Sequence, residues 1–134
     1  MKGTCAVRIT RYYRASPREV WAALTEAGSI RRWLAFVRDL DLSAGGLVEL
    51  QLDGGTVLSA GVRAVEIERV LELDWAAPGE EPSIVRFELR PDGEGTILAL
   101  DHRLIDARAG MRVMRLWEEH LARLDVLLAE AEER

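Results

Sequence analysis

The chain has 134 residues, a formal net charge of −5, 49% hydrophobic residues and 31% charged residues. This composition implies one folded domain over residues 1–134 and excludes a disordered polar chain. The acidic balance excludes a generic nucleic-acid binder, which needs a basic face to displace counterions.

Residues 4–14 alternate loosely, with Val7, Ile9, Arg11 and Tyr13 on one face of a predicted strand. Ser16-Pro17-Arg18-Glu19 then reads as a capping box: Ser16 as N-cap, Pro17 at the first helical position, Glu19 three residues on. Val20, Trp21 and Leu24 follow at helical spacing, and Trp21 is expected in the core. Gly28 is expected to end this helix, with Ser29 opening a second short one through Trp33 and Leu34. From Gly45 the pattern turns to strands. They are predicted over 47–52, 56–65 (with Gly61 as a bulge), 66–75, 83–90 and 96–104. Asp53-Gly54-Gly55 and Pro91-Asp92-Gly93 are turn signals. Val85, Phe87 and Leu89 share an inward face, as do Leu98, Leu100 and His102. The acidic residues Glu66, Glu68, Glu72 and Asp74 read as a solvated outer face.

The C-terminal segment from about Gly110 carries Met114, Trp117, Leu121, Leu124, Leu128 and Ala131 at alternating spacings of three and four. That is one apolar stripe of a helix about five turns long. The class is therefore α+β: an antiparallel sheet of six strands, curved around a long C-terminal helix, with two short helices after the first strand. Such a sheet leaves space near the helical elbow.

Cys5 is the only cysteine, so neither an intrachain disulfide nor a Cys-rich zinc site can form. The first residues show no apolar signal region, and no apolar run approaches the ~18–20 residues of a membrane span. A cytoplasmic protein is expected. No G-x-S-x-G elbow and no phosphate-cradling Gly-rich loop is present. Two histidines without a spaced acidic cluster make no recognisable metal-ligand set, and the sequence asks for no cofactor.

Ala15-Ser16-Pro17-Arg18-Glu19-Val20-Trp21-Ala22-Ala23-Leu24-Thr25 resembles the A-S-P-E-E-V-W-x-A-L-T opening of the START-like helix-grip (SRPBCC) superfamily. It is most similar to bacterial homologues of the activator of the heat-shock-protein-90 ATPase. Ile30-Arg31-Arg32-Trp33, Ala44-Gly45-Gly46, Gly95-Thr96 with Leu98 to His102, and Trp117 to Leu124 resemble further motifs of that family in the same order. Leu34 stands after Trp33 where the family usually has an aromatic residue. The resemblance implies a helix-grip fold with an apolar cavity between sheet and C-terminal helix. Relatives in this superfamily include polyketide cyclases and aromatases, and the family name also implies a chaperone-cofactor role.

The candidate ligand-binding residues are Arg11, Tyr13, Trp33, Trp75, Phe87, His102, Trp117 and His120. His102 and His120 are polar anchors or acid–base groups, or else hydrogen-bonded residues at the core edge. Arg11, if buried, needs an anionic partner: a bound carboxylate or phenolate, or a carboxylate of the protein itself. A bulge near Tyr12 would instead turn it outward. Trp33 and Trp75 are expected to frame the cavity mouth and Trp117 to floor it, with ordinary packing as the alternative. The expected partner is a small hydrophobic or aromatic ligand. Residues 1–38 hold 8 bases and 2 acids, and residues 39–134 hold 10 and 21. The basic part lies at the elbow, which favours an anionic ligand. It also predicts that arginines of the first strand pair with acids of neighbouring strands. A cyclase-like enzyme and an interaction module are the other readings, and self-association as a homodimer stays open.

Overall fold

The computed structural model describes residues 3–132. Strand β1 (Thr4–Tyr13) leads into α1 (Pro17–Thr25) and α2 (Ala27–Trp33). Strands β2 (Phe36–Leu40), β3 (Leu47–Gln51), β4 (Val57–Glu66), β5 (Val70–Ala76), β6 (Ser83–Asp92) and β7 (Gly95–Asp106) follow, and α3 (Gly110–Glu132) ends the described chain. The strands form one antiparallel sheet in the order β1-β7-β6-β5-β4-β3-β2. The sheet curves around α3, which is the helix-grip arrangement. No described helix is long and apolar enough to cross a membrane.

The sheet has seven strands where six are expected. The extra one is β2, an edge strand paired only with β3. None of its residues is fully buried, and Arg38 and Asp39 sit in its middle, so it lacks the alternation that betrays a strand. Elsewhere alternation and burial agree. Val48 and Leu50, Leu58, Ala60 and Val62, Val85, Phe87 and Leu89, and Leu98, Leu100 and His102 are all buried on the concave side. From α3, Trp117, Leu121, Leu124 and Leu128 pack into it. Each such side chain contributes about 1.5–3 kcal/mol relative to exposure. Met114 is half-buried, and Ala131 at the end of the stripe is exposed.

Ser16 caps α1 as expected, while the Glu19 carboxylate accepts from the Ser16 hydroxyl. The Glu19 backbone N–H donates to Ser16 Oγ at 3.2 Å, the two side chains meet at 3.2 Å, and Pro17 opens α1. The break between α1 and α2 is at Glu26, whose extended backbone (φ −96°, ψ 129°) ends one helix and starts the next. Gly28 lies inside α2 and ends nothing. Trp21 is half-buried against the core rather than within it. The bulge of β4 falls at Arg63, between the pairs Val62–Leu73 and Ala64–Glu72, and not at Gly61. Ile67 sits in the β4–β5 turn at 76% exposure, so the strand expected over 66–75 begins only at Val70.

The convex face carries ion pairs, and one expectation for it fails. Glu72 lies on that face but is only 8% exposed. Arg86 and Arg63 bond to its carboxylate at 2.9 and 3.1 Å, and Arg103 stands at 3.6 Å. Burial raises its pKa, but the hydrogen bonds from Arg86 and Arg63 and the charge of Arg103 outweigh this and hold it below the ordinary carboxylate value. The bulge at Arg63 lets one guanidinium reach both Glu72 and Asp74.

Candidate functional site

Helix α3 fills the concave side along most of its length. At the end where β5 and β6 are joined, a cavity of about 830 Å³ remains between the first half of α3 and the sheet. Trp75 comes from the end of β5, Ser83 from the start of β6, His102 and Ile105 from β7, and Trp117 and His120 from α3. Leu34, Leu52, Leu58, Val113 and Leu116 complete an apolar wall. The rim carries Glu80, Glu81, Arg108 and Arg112, all exposed. A second groove of about 760 Å³ adjoins the cavity through Leu34, Leu52, Leu116 and His120, and is bordered by Arg31, Arg32 and Arg123. Arg32 is ion-paired with Glu130.

Strand β7 changes parity as it enters the site. Val7 pairs with His102 and Cys5 with Ile105, so β7 holds one residue more than β1 across this interval. Leu104 takes φ +63° in that bulge. The shift turns Ile105 inward and leaves Leu104 half-exposed on the rim.

Trp117 is the hub of the site. Its ring lies 5.7 Å from Trp75, 5.9 Å from Phe87, 6.0 Å from His102 and 5.9 Å from His120, centroid to centroid. Its indole N–H donates to His102 Nδ1 at 3.0 Å. An indole nitrogen can only donate, so His102 Nδ1 is the bare nitrogen and Nε2 carries the proton. Nε2 lies 2.7 Å from Ser83 Oγ and donates to it, and the Ser83 hydroxyl donates to the Trp75 carbonyl at 3.2 Å. Every proton in this chain is thereby placed. His102 is 6% exposed. Burial lowers its pKa to about 4 against a smaller opposing effect of Asp101, so the ring is neutral at pH 7.

His120 is half-buried, with Nδ1 3.1 Å from the Trp33 carbonyl. A carbonyl only accepts, so Nδ1 carries the proton, and in the neutral ring, which burial favours, Nε2 presents a lone pair. Burial lowers the pKa of this ring. The Trp33 bond opposes that shift and Arg123 adds to it.

The remaining expected residues do not join the cavity. Arg11 keeps its inward register opposite Leu98 with no bulge at Tyr12, yet its side chain is exposed and donates to the Thr10 carbonyl. It lies on an edge strand, where a long side chain can reach water and avoid the cost of burial. Tyr13 is buried and donates to the Leu121 carbonyl at 3.1 Å, tying β1 to α3. Burial raises its pKa strongly, and Asp125 adds to this. Trp33 is 1% exposed, donates to the Ala23 carbonyl and packs edge-on to Phe87. It borders the adjoining groove and anchors the elbow, so it frames no mouth. Phe87, between Trp33 and Trp117, stands behind the cavity wall. Ser83 and Leu104 escape sequence reasoning. Ser83 does carry a signal, being the one polar residue in the inward series Ser83, Val85, Phe87, Leu89.

Residues 14–129 match the profile of the family described as activator of Hsp90 ATPase homolog 1-like protein. The chain belongs to this family. Among solved structures, the fold is similar to that of MLL2253 from Mesorhizobium loti, with 28% identity, a TM-score of 0.86, and coverage of 94% of this chain and 98% of that one. CalU16 from Micromonospora echinospora is 27% identical with a TM-score of 0.84, over 100% of this chain and 88% of that one. DynU16, described as a protein of the dynemicin biosynthetic locus, is 21% identical with a TM-score of 0.85. The match covers 92% of this chain but 47% of DynU16, and shares the fold alone. Comparison with curated proteins finds no match.

Proposed function

We propose that this protein binds a small hydrophobic or aromatic molecule in the cavity between the sheet and α3. The observation that carries this reading is the cavity itself. Its volume of about 830 Å³ falls within the range of small-molecule sites, and its wall sets Leu, Val, Ile and Trp side chains around Ser83, His102 and His120, with the charged residues at the rim. Trp75 and Trp117 offer ring faces and edges to an aromatic guest. Membership of the family and the helix-grip fold support the same class of function.

The cyclase-like alternative requires at least two polar groups to converge on one reacting atom. Arg11 is exposed, Tyr13 is bonded to α3, and both nitrogens of His102 are engaged. Of these four residues, His120 alone keeps an open nitrogen among the described residues. This distribution supports binding over catalysis.

Native mass spectrometry of freshly purified protein tests the reading. We expect a bound species on the order of a few hundred daltons, the size that fills such a cavity, released on denaturation. Tryptophan emission should also respond to titration with hydrophobic probes. A bare polypeptide mass together with no emission response to any probe would overturn the proposal.

A further inference from the structure

The polar groups of the cavity wall can be followed proton by proton. The Trp117 N–H, both nitrogens of His102 and the Ser83 proton are engaged within the protein. Glu80, Glu81, Arg108 and Arg112 of the rim are exposed and reach solvent, and the half-buried Asp106 is ion-paired with Arg108. Two groups of the wall remain open. The Trp75 indole N–H meets no acceptor, and His120 Nε2 meets no donor, among the described residues. The Trp75 N–H can donate to any ligand oxygen and so selects little. His120 Nε2 is different, because in the neutral ring the Trp33 carbonyl fixes the tautomer and leaves Nε2 a lone pair.

We infer, on the reading that the cavity binds a ligand, that His120 Nε2 accepts a hydrogen bond from a ligand hydroxyl. The ligand class is then an apolar molecule bearing a neutral phenol or alcohol group. A carboxylate would set acceptor against acceptor, and an ether would leave the nitrogen without a donor. Leu34, Leu52 and Leu116 line the junction of cavity and groove together with His120, so a ligand seated there displaces water from the lone pair and must replace its hydrogen bond. The basic residues near the elbow do not alter this. Arg32 is paired with Glu130, and Asp53 and Glu119 line the same groove as Arg31 and Arg123.

The test is calorimetric titration of the full chain at pH 7.5 with three probes on one ring system: 2-naphthol, 2-methoxynaphthalene and 2-naphthoate. We expect 2-naphthol to bind roughly five- to tenfold more tightly than the methyl ether, the effect of one hydrogen bond. 2-Naphthoate should be the weakest. His120→Phe should bring naphthol and ether to the same affinity. In the unaltered chain, the His120 Nε2 nitrogen resonance should shift on addition of 2-naphthol and stay put with the ether, which serves if the variant does not fold. Equal affinities, or tightest binding of 2-naphthoate, would overturn the hydroxyl assignment and leave the cavity reading standing. A naphthol preference that survives His120→Phe would overturn the role of His120. Binding of none of the three, with nothing co-purifying, would remove both. A co-purified molecule lacking a hydroxyl would overturn the inference directly.

Discussion

At the scale of single residues, the site rests on the chain from Trp117 through His102 and Ser83 to the Trp75 carbonyl. The inward placement of His102 is legible from its register with Leu98 and Leu100. Its partners are not, because Ser83 lies nineteen residues away on the neighbouring strand. A histidine in an apolar row reads equally as ligand anchor or as satisfied core residue until those partners are known, and here both nitrogens are satisfied. Ser83→Ala removes the acceptor for a buried N–H. It should destabilise the protein by about 1–3 kcal/mol in urea denaturation, the cost of an unsatisfied buried donor. Unchanged stability would mean that the His102–Ser83 bond is not made. Arg11 shows the opposite failure of legibility. Strand parity points it inward, but an edge position lets its long side chain leave the core.

At the scale of elements, local signals with a mechanism of their own are the legible ones. The Ser16 cap satisfies an orphan donor of α1 through Ser16 Oγ, with partners only three residues apart. Ser16→Ala should therefore cost about 1 kcal/mol, seen as a lower urea midpoint with an unchanged slope. A loss below a few tenths would show that the cap is made by water. The stripe of α3 is legible for the same reason, since its spacing repeats over the whole helix. Strand β2 is not legible, because its only partner is β3 and its exposed charged residues mask any period. The bulge in β7 is likewise silent: nothing about Leu104 as a residue type announces a positive φ, and only pairing with β1 reveals the extra residue.

At the scale of the whole molecule, stability should follow pH with a sign set by buried groups. His102 has a folded pKa of about 4 against an ordinary value of 6.5. Between these values the unfolded chain binds the extra proton, so stability falls as pH drops from 6.5 towards 4. Glu72, also held low in the fold, extends the loss as pH falls further through the carboxylate range. Tyr13, held high, adds a loss above pH 10 as unfolded tyrosine ionises. Urea midpoints measured from pH 3 to 11 should thus form a plateau between about 6.5 and 10. A flat profile from pH 4 to 6.5 would contradict a buried neutral His102. The charge division of the chain takes a different form from the one expected. Arg8 of β1 does meet Asp101 of β7 at 3.6 Å. The main network instead joins Arg63, Arg86 and Arg103 to Glu72, all within the acidic part of the chain.

What the sequence by itself determined is the class: an antiparallel sheet, a helical elbow and one long amphipathic helix. These follow from periodicity and capping, which act between residues close in the chain. The motif order also placed the chain in its family. Only the tertiary structure decided the site. Of the eight candidate residues, it gathers Trp75, His102, Trp117 and His120 around one cavity and leaves Arg11, Tyr13, Trp33 and Phe87 outside it. The reason is physical. Whether a polar group faces a ligand or a neighbour depends on which donors and acceptors come within about 3 Å of it. Those partners come from strands and helices far apart in the chain, so the choice is made only when the sheet closes on α3.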